Sequence, residues 1–122
     1  MANPKILVVE DDPIILTLEK WRLSNMGFEI CGSAENGADA IQCAEKMRPD
    51  IVLMDIALKG MMDGIEAAGL IKKNFDIPVI FISSLSDNAT IMRAMEVNPD
   101  GFIKKPFNDD DLRIAIHLAL KK

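Results

Sequence analysis

Three short stretches of the chain are apolar at every position: Ile6-Leu7-Val8-Val9, Ile51-Val52-Leu53-Met54 and Val79-Ile80-Phe81-Ile82. A strand with one wet face alternates apolar and polar residues. An unbroken run of this length marks a strand covered on both faces, as in a parallel sheet. Residues 5–9, 49–55 and 78–82 are therefore predicted strands, and shorter runs at 28–34 and 101–104 add two more. Helical patterns fill the gaps. The first helix follows Asp12-Pro13, an acid cap and a first-turn proline, and runs to about residue 26 before Gly27. Ile15, Leu18, Arg22 and Met26 lie on one stripe of it, while Leu16, Trp21 and Leu23 spread the apolar surface more widely. Asn36-Gly37 reads as a turn before a helix at 38–47, which Pro49 terminates. Asp63-Gly64 opens a helix to about residue 74 that carries Ile65, Ala68, Leu70 and Ile71. Asp87 or Asn88 caps another that continues to about residue 97. Asn108 caps the last, whose acids Asp109, Asp110 and Asp111 suit the positive end of its dipole. Leu112, Ala115, Ile116 and Ala119 form its inward face.

Strict alternation of five strands and five helices predicts an α/β three-layer sandwich with right-handed crossovers. The expected arrangement is flavodoxin-like (βα)5, a parallel five-stranded sheet in the order 2-1-3-4-5. Its functional crevice lies at the carboxyl ends of strands 1 and 3. The 122 residues suit one domain spanning 1–122, with no output domain. A net charge of -5 argues against direct binding of nucleic acid or anionic lipid. No apolar run reaches the length of a membrane span and no signal peptide precedes the first strand, so a cytoplasmic location is expected. Cys31 and Cys43 are expected to be small buried hydrophobes, and the single His117 cannot build a histidine-based metal site.

Chemistry enters at the strand ends. The first strand runs into Glu10 and Asp11, the third ends at Asp55, the fourth at Ser83, and the fifth leads to Lys105. Each residue has an ordinary reading alone: a helix cap, a loop acid, a loop serine, a solvated lysine. Their placement at successive strand ends is what points to one crevice. Carboxylates gathered there repel one another, and a hard divalent cation with oxygen ligands, Mg²⁺, would resolve the repulsion. A lysine and a hydroxyl beside such a metal suit a phosphoryl group, and an aspartate carboxylate can be its nucleophilic acceptor.

These residues bring the chain to a family. Ile6-Leu7-Val8-Val9-Glu10-Asp11-Asp12-Pro13, Pro49-Asp50-Ile51-Val52-Leu53-Met54-Asp55, Met62-Asp63-Gly64, Pro78-Val79-Ile80-Phe81-Ile82-Ser83 and Gly101-Phe102-Ile103-Lys104-Lys105-Pro106-Phe107 resemble the CheY-like receiver domain of two-component response regulators. The resemblance covers essentially the whole chain. It implies Asp55 as the phosphoacceptor, with Mg²⁺ bound by Asp11, by Glu10 through water, by Asp55, and by the backbone carbonyl of Ala57. It implies that Ser83 hydrogen-bonds the phosphoryl group, that Lys105 pairs with it, and that Phe102 is an aromatic rotamer switch. Spacing to Pro106 favours Lys105 over Lys104, and in the family the bond before that proline is typically cis. The implied partner is a sensor histidine kinase or phosphotransfer protein, docking on the helix 1 face where Trp21 lies. The helix 4–strand 5–helix 5 face, with Met92, Ile114 and Leu118, is the implied surface for a homodimer or another partner. Such a domain catalyses only its own phosphorylation and dephosphorylation.

The chain departs from the family in two places. The segment from Asp55 to Asp63 is about one residue longer than in most receivers and carries Lys59-Gly60 where proline is common. Ser83 lacks the methyl group of the commoner threonine, so its hydroxyl is less constrained. Ala57 and Leu85 flank the expected water path, and neither accepts a hydrogen bond from water, so slow autodephosphorylation is expected. Three other classes fit less well. A Mg²⁺-dependent phosphatase usually has a second acid two residues past the nucleophile, where this chain has Ala57. A flavin or nucleotide binder would want a phosphate loop where the chain has Glu10-Asp11-Asp12. A binding-only pseudo-receiver would not need the intact set Asp11, Asp55, Ser83 and Lys105.

Overall fold

The unbroken apolar runs become the middle of the sheet. The computed structural model describes residues 3–84 and 87–121. Its elements in chain order are β1 (Lys5–Val9), α1 (Pro13–Asn25), β2 (Glu29–Ala34), α2 (Gly37–Met47), β3 (Ile51–Asp55), α3 (Gly64–Phe75), β4 (Val79–Ser83), α4 (Asn88–Glu96), β5 (Gly101–Lys104) and α5 (Asp109–Leu120). The strands form one parallel sheet in the order β2-β1-β3-β4-β5. The strand order and the five-plus-five alternation are those the pattern predicts. Asp12, Asp63, Asp87 and Asn108 cap their helices through side-chain oxygens, which satisfies amide groups that a helix leaves unpaired.

Successive strand residues point to opposite faces, and this divides the core in two. Leu7, Val9, Val52, Met54, Val79 and Phe81 meet α2, α3 and α4 through Ala40, Ala44, Ile65, Ala68, Ile71 and Ala94. Ile6, Val8, Ile51, Leu53, Ile80 and Ile82 meet α1 and α5 through Leu16, Leu23, Leu112, Ile116 and Ala119. Burying a side chain of this size contributes about 1.5–3 kcal/mol, so these two layers supply most of the drive that keeps the strand ends in register.

The structure departs from the sequence pattern at three points. Asn36 is not a turn residue; it caps α2, accepting the Asp39 amide at 2.8 Å, and Gly37 is the first helical residue. Asparagine serves both roles by the same side-chain hydrogen bond, so the dipeptide alone does not distinguish them. On α1, Leu16, Glu19 and Leu23 are buried, whereas Ile15, Leu18 and Trp21 face outward. The helix is apolar on nearly every side, and periodicity cannot choose a face when no side is clearly polar. Cys31 and Cys43 are free and only half-buried rather than fully enclosed.

One backbone contact joins α3 to the end of β3. The Gly64 amide donates to the Ile56 carbonyl at 2.9 Å, and a Cβ at position 64 would come within 2.0 Å of the Asp55 carbonyl oxygen. That oxygen belongs to the backbone and cannot swing aside. Gly64→Ala should therefore destabilise the protein by about 3 kcal/mol, at the upper end for overpacking. Urea unfolding checks this, and a loss below about 1 kcal/mol would show that the junction can give.

Candidate functional site

The site forms because four parallel strands end on the same edge. Glu10 follows β1, where its backbone amide donates to the Ala34 carbonyl at 3.0 Å and its side chain is only 2% exposed. Asp55, the last residue of β3, is 7% exposed. Ser83 closes β4 and is fully buried, lying opposite Lys104 in the ladder with β5. Lys105 is fixed just beyond β5, where its amide donates to the Ser83 carbonyl at 2.9 Å and the Lys105–Pro106 peptide is cis.

Glu10, Asp11 and Asp55 each present a carboxylate oxygen within 4.8 Å of the others. The Lys105 ammonium stands among them, donating to Glu10 Oε1 at 3.1 Å and to Asp55 Oδ2 at 3.4 Å. Asp55 Oδ1 accepts the Ala57 amide at 3.2 Å, and Glu10 Oε2 accepts the Asp12 amide at 3.2 Å. Lys104 is exposed, so Lys105 is the lysine that reaches the acids. Ala57 is exposed on the loop after β3. Phe102, on β5 and partly buried, meets Phe81 edge-on with ring centroids 6.4 Å apart. Among the strand-end residues singled out by sequence, Glu10, Asp11, Asp55 and Lys105 thus meet directly. Ser83 is tied to Lys105 through the backbone, and Phe102 lies one strand away on β5. Leu85, named for its part in dephosphorylation, falls outside the described residues.

Three carboxylates with one ammonium form a site that favours cations. Burial raises the pKa of Asp11, and a hydrogen bond and the charge of Glu10 raise it further; Lys59 opposes them. Burial pulls the Lys105 ammonium down, but Asp55 and Glu10, with Glu19, outweigh it and its pKa is raised. All the donors are hard carboxylate oxygens, and they fit a hard divalent cation.

Sequence reasoning missed Glu19. It sits on α1 between the buried Leu16 and Leu23 and is itself only 8% exposed. Burial pushes its carboxyl up to about 7, helped by the charges of Glu10 and Asp55, with Lys105 and Arg22 opposing. The signal was a lone acid at positions i+3 and i-4 from two core leucines. The apolar residues of α1 spread over more than one stripe, so the pattern does not single out the face that carries Glu19.

The fold and the strand-end cluster define a doubly wound α/β protein with an acidic crevice at the carboxyl edge of its sheet. The chain belongs to the response regulator receiver domain family, whose model matches residues 6–117. It is 32% identical over 118 residues to the transcriptional regulatory protein PdtaR of Mycobacterium tuberculosis, covering 97% of this chain and 57% of that protein. It is 31% identical over 122 residues to the transcriptional regulatory protein YvrH of Bacillus subtilis, covering 51% of it. The chain thus spans little more than half the length of these relatives. Among solved structures, the signal receiver domain of a modulated diguanylate cyclase from Desulfovibrio desulfuricans G20 superposes with a TM-score of 0.92 at 38% identity, over 98% of this chain and 94% of that one. A CheY-like response regulator receiver domain protein from Methanospirillum hungatei JF-1 gives 0.90 at 26% identity, over 98% and 94%.

The raised pKa of Glu19 has a stability consequence with a definite sign. A carboxyl easier to protonate when folded stabilises the fold most below its ordinary value of 4.5, and that contribution is lost as pH rises through about 7. The full loss is about 3 kcal/mol at most. Glu19→Gln should therefore match wild type near pH 5 and exceed it in urea midpoint at pH 8, measured in chelator. Parallel stability curves from pH 5 to 8 would contradict this.

Proposed function

We propose that this domain is a phosphorylation-activated signalling switch, with Asp55 as the phosphoacceptor. One observation carries the reading: a carboxylate at a strand end, almost fully buried, shares its pocket with two further carboxylates and a lysine 3.4 Å away. The donor is a phosphohistidine on a sensor histidine kinase or phosphotransfer protein. An Asp55 carboxylate oxygen attacks phosphorus and the P–N bond breaks. Its electrons return to the imidazole nitrogen, which takes up a proton. Glu10, Asp11, Asp55 and the Ala57 carbonyl would hold Mg²⁺, which when bound supplies charge neutralisation for the carboxylates and the phosphoryl oxygens. Lys105 pairs with the phosphoryl group and the Ser83 hydroxyl hydrogen-bonds it. The domain acts on no external substrate, and residues 1–122 form one such unit.

The output runs through the far side of the sheet. Ser83 and Lys105 share a backbone hydrogen bond, and Phe102 on β5 packs against Phe81 on β4. A pull on Ser83 therefore bears on the packing of Phe102, shifting a population between two arrangements. Phe102 and the outward Ile114 and Leu118 line a groove of about 500 Å³ there, with Met92 exposed nearby on α4. This face suits a second copy or an output partner. The donor docks across α1: Trp21 is 65% exposed there, and its neighbour Arg22 is held by an ion pair with Asp109 on α5 at 2.8 Å. Among the described residues no helix is long and apolar enough to cross a membrane, and a cytoplasmic location goes with the proposed partner.

The test is incubation with acetyl phosphate and Mg²⁺, read by intact mass. Wild type should gain one phosphoryl group, and Asp55→Asn should gain none, because an amide is not a competent nucleophile. An adduct of equal yield on Asp55→Asn would overturn the assignment.

A further inference from the structure

Glu19 occupies an unusual position for a charged side chain. It lies in the lining of a groove of about 540 Å³ between α1 and the turn after β5, whose walls include Ile15, Leu18, Trp21 and Phe107. Its two cationic neighbours are committed elsewhere. Arg22 binds Asp109 and the Phe107 carbonyl and lies 4.6 Å over the Phe107 ring, while Lys105 binds Glu10 and Asp55. Among the described residues the Glu19 side chain makes no hydrogen bond and no ion pair. Among the described residues no fully enclosed side-chain oxygen lacks a partner, so the carboxylate of Glu19 remains reachable through the groove it lines.

We propose that this groove receives an apolar partner segment carrying one basic side chain, and that Glu19 is its counter-ion. Charge complementarity selects the occupant. A purely apolar segment would force the Glu19 carboxyl either to stay charged or to take up a proton, and in both forms would bury it without a hydrogen-bond partner, which costs about 1–3 kcal/mol. An acidic segment would be repelled by Glu19 and by the acid cluster beyond it. An ammonium or guanidinium group instead forms a charge-assisted hydrogen bond in a setting of low dielectric, where such bonds are strong. The apolar walls supply contact area and the single buried acid supplies discrimination, so partners are sorted by rejection as well as by attraction. The groove also reaches Lys105 and Ser84, beside the acid cluster. Only the identity of the partner as the phosphoryl donor rests on the proposed function; the charge requirement does not.

The chain's only tryptophan lines the groove and reports on it. The probe is 2-phenylethylammonium, which joins an apolar body to one cation; its neutral comparator is 2-phenylethanol. Each is titrated into the metal-free protein, and the Trp21 indole N–H and the Ile15 and Leu18 amides are followed by NMR. The ammonium should saturate these shifts and bind about tenfold more tightly than the alcohol, a ratio equivalent to about 1.4 kcal/mol. Glu19→Gln should lose that preference while keeping its affinity for the alcohol. Asp55→Asn should keep the preference, so a failed phosphoacceptor assignment would not affect this result. If Glu19→Gln does not fold, Glu19→Leu replaces it, with the same expectation. Equal binding of the two compounds to wild type, an ammonium preference that survives in the Glu19 variants, or no saturable response would each overturn the proposal.

Discussion

Three carboxylates held within 4.8 Å of one another, with one ammonium among them, form the constraint on which the rest of the structure depends. Left to themselves, Glu10, Asp11 and Asp55 would separate into water. They stay together because each ends or follows a strand whose apolar run is buried, Ile6 to Val9 in β1 and Ile51 to Met54 in β3, and parallel pairing fixes those strand ends side by side. The apolar layers on the two faces of the sheet offset the local repulsion. Lys105 reduces it further, and its own raised pKa is the reciprocal sign of that attraction. A site assembled in this way is short of positive charge, and a divalent cation or a phosphoryl group with its metal relieves that shortage.

The same geometry links the pocket to distant surfaces. Lys105 is tied through its amide to Ser83, and Ser83 ends the strand that carries Phe81 against Phe102. Arg93 on α4 reaches Asp63, the cap of α3, at 2.9 Å, so the loop beside Asp55 is held to a second helix as well. Changes in charge at the pocket can therefore move packed elements rather than isolated side chains. Packed interiors of this density favour discrete alternatives over gradual deformation.

Much of this was legible from sequence, for identifiable reasons. Runs such as Ile51-Val52-Leu53-Met54, short and bounded by Pro49 and a loop, fit a strand buried on both faces, and the acid after the run then lies at the sheet's edge. Spacing to Pro106 separated Lys105 from Lys104, and the structure places only Lys105 against the acids. What escaped was orientation. Helix α1 is apolar on most sides, so its pattern did not show that Leu16, Glu19 and Leu23 face inward while Trp21 faces out. Glu19 could not be recognised as buried without that choice. Asn36 was ambiguous for a different reason, since one hydrogen bond serves both a turn and a cap.

The central claim is that the strand-end carboxylates act together as a cation site, and paramagnetic broadening by Mn²⁺ tests it most directly. Mn²⁺ shares the preference of Mg²⁺ for oxygen ligands. With substoichiometric Mn²⁺, amide signals of Glu10, Asp11, Asp55 and Ala57 should broaden first, excess Mg²⁺ should restore them, and Asp11→Asn should weaken the effect. The exposed acids Asp109, Asp110 and Asp111 provide an internal control, because among the described residues they form no group converging on one point. Broadening centred on that run, or broadening at Asp55 that Asp11→Asn leaves unchanged, would contradict the account.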